Sequence, residues 1–345
     1  DVRRAYHLAV IQSETLARES GKPVAVTLIP GYDDTKIRKP GLACSRHDGQ
    51  TLRAGWDSVA GRSVRWVLIT SWNEWHEGSE IEPSAENGDR ELGAMREGTT
   101  RFKDPRAQPV AVPVSPGWRP FVETWQGGTI GILGSPGTVA GDVATSGLPF
   151  RFVSLKSFAT GKATAADCPM MFYTGGEDVS TNFGDGAHLV PTIGAYREQG
   201  GVIVFASSGP WPMHRDLETG RTAFSREVGL PITVGFEEPP AEGMYFEFEG
   251  DLAEFQRQPF PVEGDQRFRP CGGPGSEALE IVPLATLHGA DGTPYGPAIA
   301  VIRSAAQRSS APMLYVWFRM WDVVDREKLL KHVLEKAVSL RATGS

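Results

Sequence analysis

Cysteine is scarce in this chain. Cys44, Cys168 and Cys271 are the only three among 345 residues. They are widely spaced, odd in number and joined by no CxxC or CxxxxH pattern, which argues against a disulfide framework and a zinc site. The redox compartment stays open. No apolar run approaches the ~20 residues that a membrane-spanning helix requires. A large excess of one charge is missing too, since 35 Lys and Arg face 42 Asp and Glu for a formal charge of -7. The basic residues are scattered rather than striped, so nucleic acid and anionic membrane are poor partners. HEGSE at 76 to 80 begins like the HExxH zinc motif, but its fifth residue is Glu80 and Gly78 spoils the helix that two ligands would share; no metal and no cofactor are expected. GxSxG is absent, and GILGSPG at 131 to 137 is not GxGxxG. Methionine is missing from position 1, where Asp1 leads directly into helical sequence. The natural N-terminus is therefore expected upstream, and localisation is left unknown with a lean to extracytoplasmic.

What is present reads as a globular chain with core enough for two domains, 40% hydrophobic and 22% charged. Residues 2 to 19 form an amphipathic helix and residues 23 to 29, PVAVTLI, a buried strand. A loop with Tyr32, Asp33, Asp34, Lys36 and Arg38 follows. Asp48 is placed to cap a second helix carrying Leu52, Trp56 and Val59, a buried strand begins near Trp66, and a third helix covers Arg90 to Phe102. The alternation is that of a parallel sheet, with both polar clusters just past strand C-terminal ends.

The stretch Trp66 to Ser84, WVLITSWNEWHEGSEIEPS, carries the densest chemistry. Residues three apart on an extended strand point to opposite faces, so Glu74 and Glu77 share a site only if the chain turns after Glu74. Two carboxylates are the minimum for cleaving a glycosidic bond, one protonated and one ionised. Trp72 and Trp75 could offer flat apolar faces to sugar rings, or pack as core. The alternative is that Glu74 and Glu77 are loop carboxylates that balance Lys36 and Arg38.

PGYDDTKIRKPG at 30 to 41 with ITSWNEWHEGSEIEPS at 69 to 84 and GDREL at 88 to 92 resembles glycoside hydrolase family 99. The resemblance covers roughly residues 1 to 103. It implies the C-terminal part of a (β/α)8 TIM barrel and an endo-acting α-mannosidase-like activity on an oligosaccharide or polysaccharide. Glu77 would be the general acid. Glu74 would be the base that deprotonates the sugar's own 2-hydroxyl, giving retention through a 1,2-anhydro sugar. Asn73 and His76 would hold sugar and carboxylates, Tyr32 would line the pocket and Trp72 would contact substrate. A whole barrel takes about 250 residues, and two strands of eight are recognisable. The expectation is the catalytic corner of a hydrolase, competent if an N-terminal barrel is present.

Residues 104 to 120 read as a proline-rich linker. Residues 121 to 345 read as an α/β three-layer domain with strands at 129–133, 150–155, 169–173, 202–206, 298–302 and 313–318. A Gly, Pro and Glu-rich insertion spans about 216 to 290. GILGSPG is expected to be a plain turn with no helix behind it, and Asp325 to cap a last helix bearing Leu330, Val333, Leu334, Ala337 and Val338. At fold level this half resembles the flavodoxin-like class I glutamine amidotransferase group. Where those enzymes carry a Cys nucleophile, this chain has Ser207 and Ser208, with His214 a conceivable partner. Two other functions stay in view: a non-catalytic carbohydrate-binding or assembly module, oligomeric through the C-terminal domain, and a polysaccharide-biosynthesis protein.

Overall fold

The computed structural model describes residues 2–39, 41–111, 114–134, 138–179, 188–207, 209, 211–230, 242–260, 271–272, 277–304 and 309–341. The chain is mixed α/β and divides into two compact units, Asp1–Val114 and Ser115–Ser345.

The first unit runs α1 (Val2–Ser20), β1 (Val24–Leu28), β2 (Tyr32–Asp33), β3 (Ala43–Cys44), α2 (Gln50–Val59), β4 (Val64–Ile69) and α3 (Arg90–Lys103). β1 and β4 pair in parallel, with Val26 opposite Val67 and Leu28 opposite Ile69. Val24, Val26 and Leu28 point to one face and pack with Val10, Leu52, Trp56, Val59 and Ala94. Leu28 and Leu52 are wholly buried, each stabilising the unit by roughly 1.5–3 kcal/mol over an exposed side chain. Tyr6 pins α1 to the end of β1: its hydroxyl donates to Ile29 O at 3.1 Å and accepts from Ile29 N at 2.9 Å.

Two expectations for this unit need correction. β4 begins at Val64, and it is not buried as a parallel strand should be: Trp66 and Leu68 are 52% and 53% exposed. β4 pairs with β1 alone among the described residues, and side chains alternate across a strand, so every second one faces away from the helices. Asp48 does not cap α2. It sits at φ 53° in a 3-10 turn, Gly49 at φ 81° precedes the helix instead, and the Asp48 carboxylate pairs with Arg90 at 2.7 Å.

The second unit runs α4 (Arg119–Thr124), β5 (Ile130–Leu133), α5 (Thr138–Ser146), β6 (Phe150–Val153), α6 (Leu155–Ala159), β7 (Met170–Tyr173), β8 (Asp178–Val179), α7 (Leu189–Glu198), β9 (Val202–Phe205), β10 (Arg215–Asp216), α8 (Phe224–Glu227), β11 (Tyr245–Phe248), β12 (Gln258–Pro259), β13 (Leu279–His288), β14 (Pro294–Ser304), β15 (Met313–Val316), α9 (Met320–Val323) and α10 (Arg326–Ser339). Nine strands form one sheet in the order β12-β11-β13-β14-β15-β9-β7-β5-β6. β15, β9, β7, β5 and β6 are parallel, and β14, β13, β11 and β12 extend the sheet antiparallel. β5, β7, β9 and β15 are buried along their whole length, which is why they read as unbroken apolar runs.

Several sequence expectations shift here. The stretch expected to be an insertion supplies β11, β12 and all of β13; residues 231–241, 261–270 and 273–276 of it lie outside the described residues. β13 and β14 escaped notice at full length because Pro283, Pro294 and Pro297 interrupt the β-branched pattern, and the pairing carries register shifts beside Pro283. A helix does follow GILGSPG: α5 begins at Thr138, directly after residues 135–137, which lie outside the described set. The strand expected over 150–155 ends at Val153, because Ser154 caps α6 and accepts the Ser157 N–H. The linker is shorter than read, since Trp118 is 3% exposed within the second unit and Lys331 lies over its ring. Asp325 does cap α10, accepting the Lys328 N–H at 3.2 Å, and Leu330, Val333, Leu334 and Ala337 are buried.

Candidate functional site

Two loops meet at the C-terminal ends of β1 and β4. Past β1, Gly31 is required by a close approach, since a Cβ there would lie 2.5 Å from Arg46 Cγ. Tyr32 then pairs with Cys44 in the short β2–β3 ladder. The loop between is wound on Asp34, which is 2% exposed. Its carbonyl accepts from Ile37 N at 2.9 Å and Arg38 N at 2.8 Å. Its carboxylate accepts from Arg38 Nη1 at 2.5 Å, Leu42 N at 2.6 Å and Tyr32 Oη at 2.9 Å. The Arg38 guanidinium and then the Leu42 amide hold the Asp34 carboxyl below the usual carboxylate range. Desolvation and the bond to Asp34 push the Tyr32 phenol up.

Past β4 the chain folds back on itself. Ser71 N donates to Ser79 O at 2.7 Å and Glu82 N to Trp72 O at 2.9 Å. The Ser71 hydroxyl accepts from Glu74 N at 2.9 Å. Trp75–Glu77 is a single 3-10 turn that starts directly after Glu74, and Gly78 at φ 57° closes it. The reversal that would let Glu74 and Glu77 serve one site is thus present, fixed by a serine on one side and a glycine on the other.

Arg38 bridges the two loops. Its Nη2 donates to Glu77 Oε1 at 2.7 Å while Nη1 also reaches Tyr32 Oη at 2.6 Å. Its own pKa is raised by the bonds to Asp34 and Glu77. The balancing role weighed for the carboxylates is therefore met by Glu77, which is half-buried, while Glu74 is exposed. Asn73 and His76 are exposed as well. Trp72 and Trp75 are 52% and 47% exposed, which corrects the option that they pack as core. Trp75 Nε1 donates to Glu82 Oε2 at 3.2 Å.

Sequence reading missed the group beneath. Arg46, from the segment before α2, donates through Nη1 to Glu80 O and through Nη2 to Gly78 O, both at 2.9 Å. It pairs with Glu80 at 2.7 Å and with Glu91 of α3 at 3.3 Å. Both carboxylates are almost fully buried. Asn87 Nδ2 reaches Glu80 Oε1 at 3.4 Å. A buried charge must be paired, and Glu80 within the motif was the one available hint.

A cleft of ≈ 730 Å³ opens between the loops, lined by Tyr32, Lys36, Arg46, Trp75, His76 and Asn87 among others. Of the six residues singled out as a site, Tyr32 and His76 line it. Trp72, Asn73, Glu74 and Glu77 do not.

No set of three His, Cys, Asp or Glu among the described residues could hold a metal ion. In the second unit, Ser207 Oγ donates to Gly209 O at 2.6 Å, and His214 Nδ1 accepts from Ala223 N at 3.3 Å. Each is engaged locally; Ser208 lies outside the described residues. Burial pushes the Cys271 thiol up to about 12 and raises Cys168, the opposite of what an activated nucleophile needs. No described helix is long and apolar enough to cross a membrane. No family model matches the chain, and no curated protein matches it.

Proposed function

We propose that the first unit carries the catalytic corner of a retaining glycoside hydrolase of the family 99 type, acting on α-linked mannose or a related glycan. The observation behind it is the reversal after Glu74, which puts two carboxylates on one turn past a parallel strand's C-terminal end. Glu74, exposed and without a described ion pair, is the base for the sugar 2-hydroxyl. Glu77 is the acid that protonates the leaving oxygen, which requires Arg38 to withdraw from it. Asn73, His76, Trp72 and Tyr32 would contact the sugar. Hydrolysis of an unactivated α-mannosyl oligosaccharide that disappears in Glu77→Gln is the expected result; equal rates in the two proteins would rule the assignment out.

The ion pair of Glu77 with Arg38 favours a second reading, a carbohydrate-binding module without turnover, because the guanidinium occupies a carboxylate oxygen that the leaving group would need. Saturable oligosaccharide binding without hydrolysis would select it. For the second unit, the parallel strand order β6-β5-β7-β9-β15 corresponds to the 2-1-3-4-5 order of flavodoxin-like sheets. That supports an amidotransferase-like accessory domain, in which the locally engaged Ser207 and His214 perform no nucleophilic catalysis.

A further inference from the structure

We propose that a second cleft, at the N-terminal ends of β1 and β4, binds a small organic phosphate through its phosphate group. It goes beyond the proposed hydrolysis and does not depend on it. The six residues of β4, at about 3.3 Å each, put this cleft roughly 20 Å from the loops that carry Glu74 and Glu77. It lies between the last turns of α1 and the starts of the two strands, and its ≈ 570 Å³ falls within the roughly 300–1,000 Å³ of ligand pockets. Glu14, Arg18, Lys22 and Arg65 are the charged residues that line it. The one carboxylate is engaged outside the set: Glu14 Oε2 accepts from Arg62 Nη1 at 3.1 Å and Oε1 from Ser63 N at 2.9 Å. Arg18 follows Glu14 by four residues on α1, a spacing at which the two would pair. With Glu14 held by Arg62 and Ser63, that pair does not form.

Three cations are thereby left at one concavity without a counter-charge. Among the described residues the side chains of Arg18, Lys22 and Arg65 form no hydrogen bond or ion pair, and the Ser63 hydroxyl beside them makes no bond either. All four residues are exposed. In a chain of net charge -7 such a grouping is local, and a cleft lined by one sign of charge concentrates the opposite sign from solution. The donors decide the ligand class. Two guanidiniums, an ammonium and a hydroxyl come from four separate side chains. A phosphate monoester has three terminal oxygens to receive them, whereas a carboxylate has two, which a single guanidinium fork satisfies. The wall beside the cations is apolar, from Ala17, Pro23 and Val24, and it suits an organic body attached to the phosphate. Three cations are fewer than the roughly four to eight of a lipid-headgroup patch, so a soluble ester fits better than a membrane.

The test is calorimetric titration of the full chain at low salt with phenyl phosphate, inorganic phosphate and benzoate, beside cosedimentation with phosphatidic acid vesicles. The expected result is saturable binding of phenyl phosphate, weaker binding of inorganic phosphate, little of benzoate and none to vesicles. Added salt weakens the phosphate binding. Arg18→Ala and Arg65→Ala each weaken it about tenfold, with unchanged circular dichroism because both side chains are exposed and unpaired. Lys36→Ala, which removes a cation from the cleft at the other end of the strands, binds as the parent does. Binding that survives the Arg18→Ala and Arg65→Ala double variant, or that falls as far in Lys36→Ala, would overturn the assignment. So would benzoate or inorganic phosphate binding as tightly as phenyl phosphate, capture by vesicles without a response to the soluble ester, or no binding at all.

Discussion

β4 and β9 are written in the same vocabulary and live in different surroundings. β4 is VRWVLI and β9 is VIVF, and both read as strands buried on two faces. β9 is so buried, paired in parallel with β7 and β15 and with no exposed position. β4 has β1 as its sole described neighbour and turns Trp66 and Leu68 to solvent. An apolar β-branched run therefore encodes the strand, while the number of neighbours decides how much of it stabilises anything. The first unit compensates with polar structure. Its strand-end loops are held by buried charge, where the second unit holds its strands by packing.

The sharpest way to break that contrast is to remove the charge. Arg46→Met leaves Glu80 and Glu91 buried and uncompensated, and should cost the first unit about 3–5 kcal/mol. Regional hydrogen exchange should show protection lost in residues 2–103 and kept in β5, β7 and β9. Loss spread equally over both units would refute the division of labour. Next in size is a matched pair of truncations. Leu133→Ala in β5, at a wholly buried position, should cost about 3 kcal/mol. Leu68→Ala in β4 should cost less than about 1 kcal/mol, since half its side chain is already in water. Denaturant midpoints read by exchange in each unit measure both. Equal losses would mean that β4 is covered in solution.

Gly98→Ala is smaller and tests packing within the first unit. Helix propensity alone would favour alanine by about 1 kcal/mol, but the new Cβ would lie 2.1 Å from the Trp56 ring. Trp56 is 6% exposed and packed against Phe102 at 6.1 Å between ring centroids, so it has little room to retreat. Overpacking should win and leave a net loss of about 1–2 kcal/mol. A rise in thermal stability would show that the indole shifts freely.

The elements were legible where one physical signal stood alone. PVAVTLI at 23–29 and the α10 heptad with its Asp325 cap give strand and helix without help from the rest of the chain. The turn after Glu74 was legible only as a condition: on an extended strand the two glutamates face opposite ways, so a shared site required the chain to turn, and a 3-10 turn does follow Glu74. Burial in β4 was not legible, since exposure depends on neighbours the strand does not encode. Arg46 was hidden for a related reason: its partners lie 34 and 45 residues away, and a lone arginine in a CSRHDG segment carries no local mark of burial. The antiparallel half of the second sheet was masked by prolines in β13 and β14, which the strands accommodate with irregular pairing.

The smallest effect uses pH to compare the units under one perturbation. Burial lowers the pKa of His214 in the second unit, with Arg215 and Arg226 adding to it and Asp178 opposing. In the first unit, burial and then Arg62 lower that of His7, while Glu14 opposes. A histidine depressed in the folded state takes up its proton more readily when unfolded. Its contribution to stability is therefore complete above the unfolded pKa of about 6.5 and is lost as pH falls from there toward the folded value. Each unit should soften as pH falls below about 6.5. His214→Asn should flatten that slope in the second unit alone, and His7→Asn in the first alone. His7 also rests 3.3 Å from the Arg62 guanidinium, itself tied to Glu14 at 3.1 Å, so its protonation adds a positive charge beside an existing one. Burial is the largest cause for both histidines, but the charge that ranks next lowers His7 (Arg62) and raises His214 (Asp178). Added salt screens charge and not desolvation, so it should blunt the pH slope of the first unit more than that of the second. Equal blunting would mean that the two histidines are held neutral by the same cause.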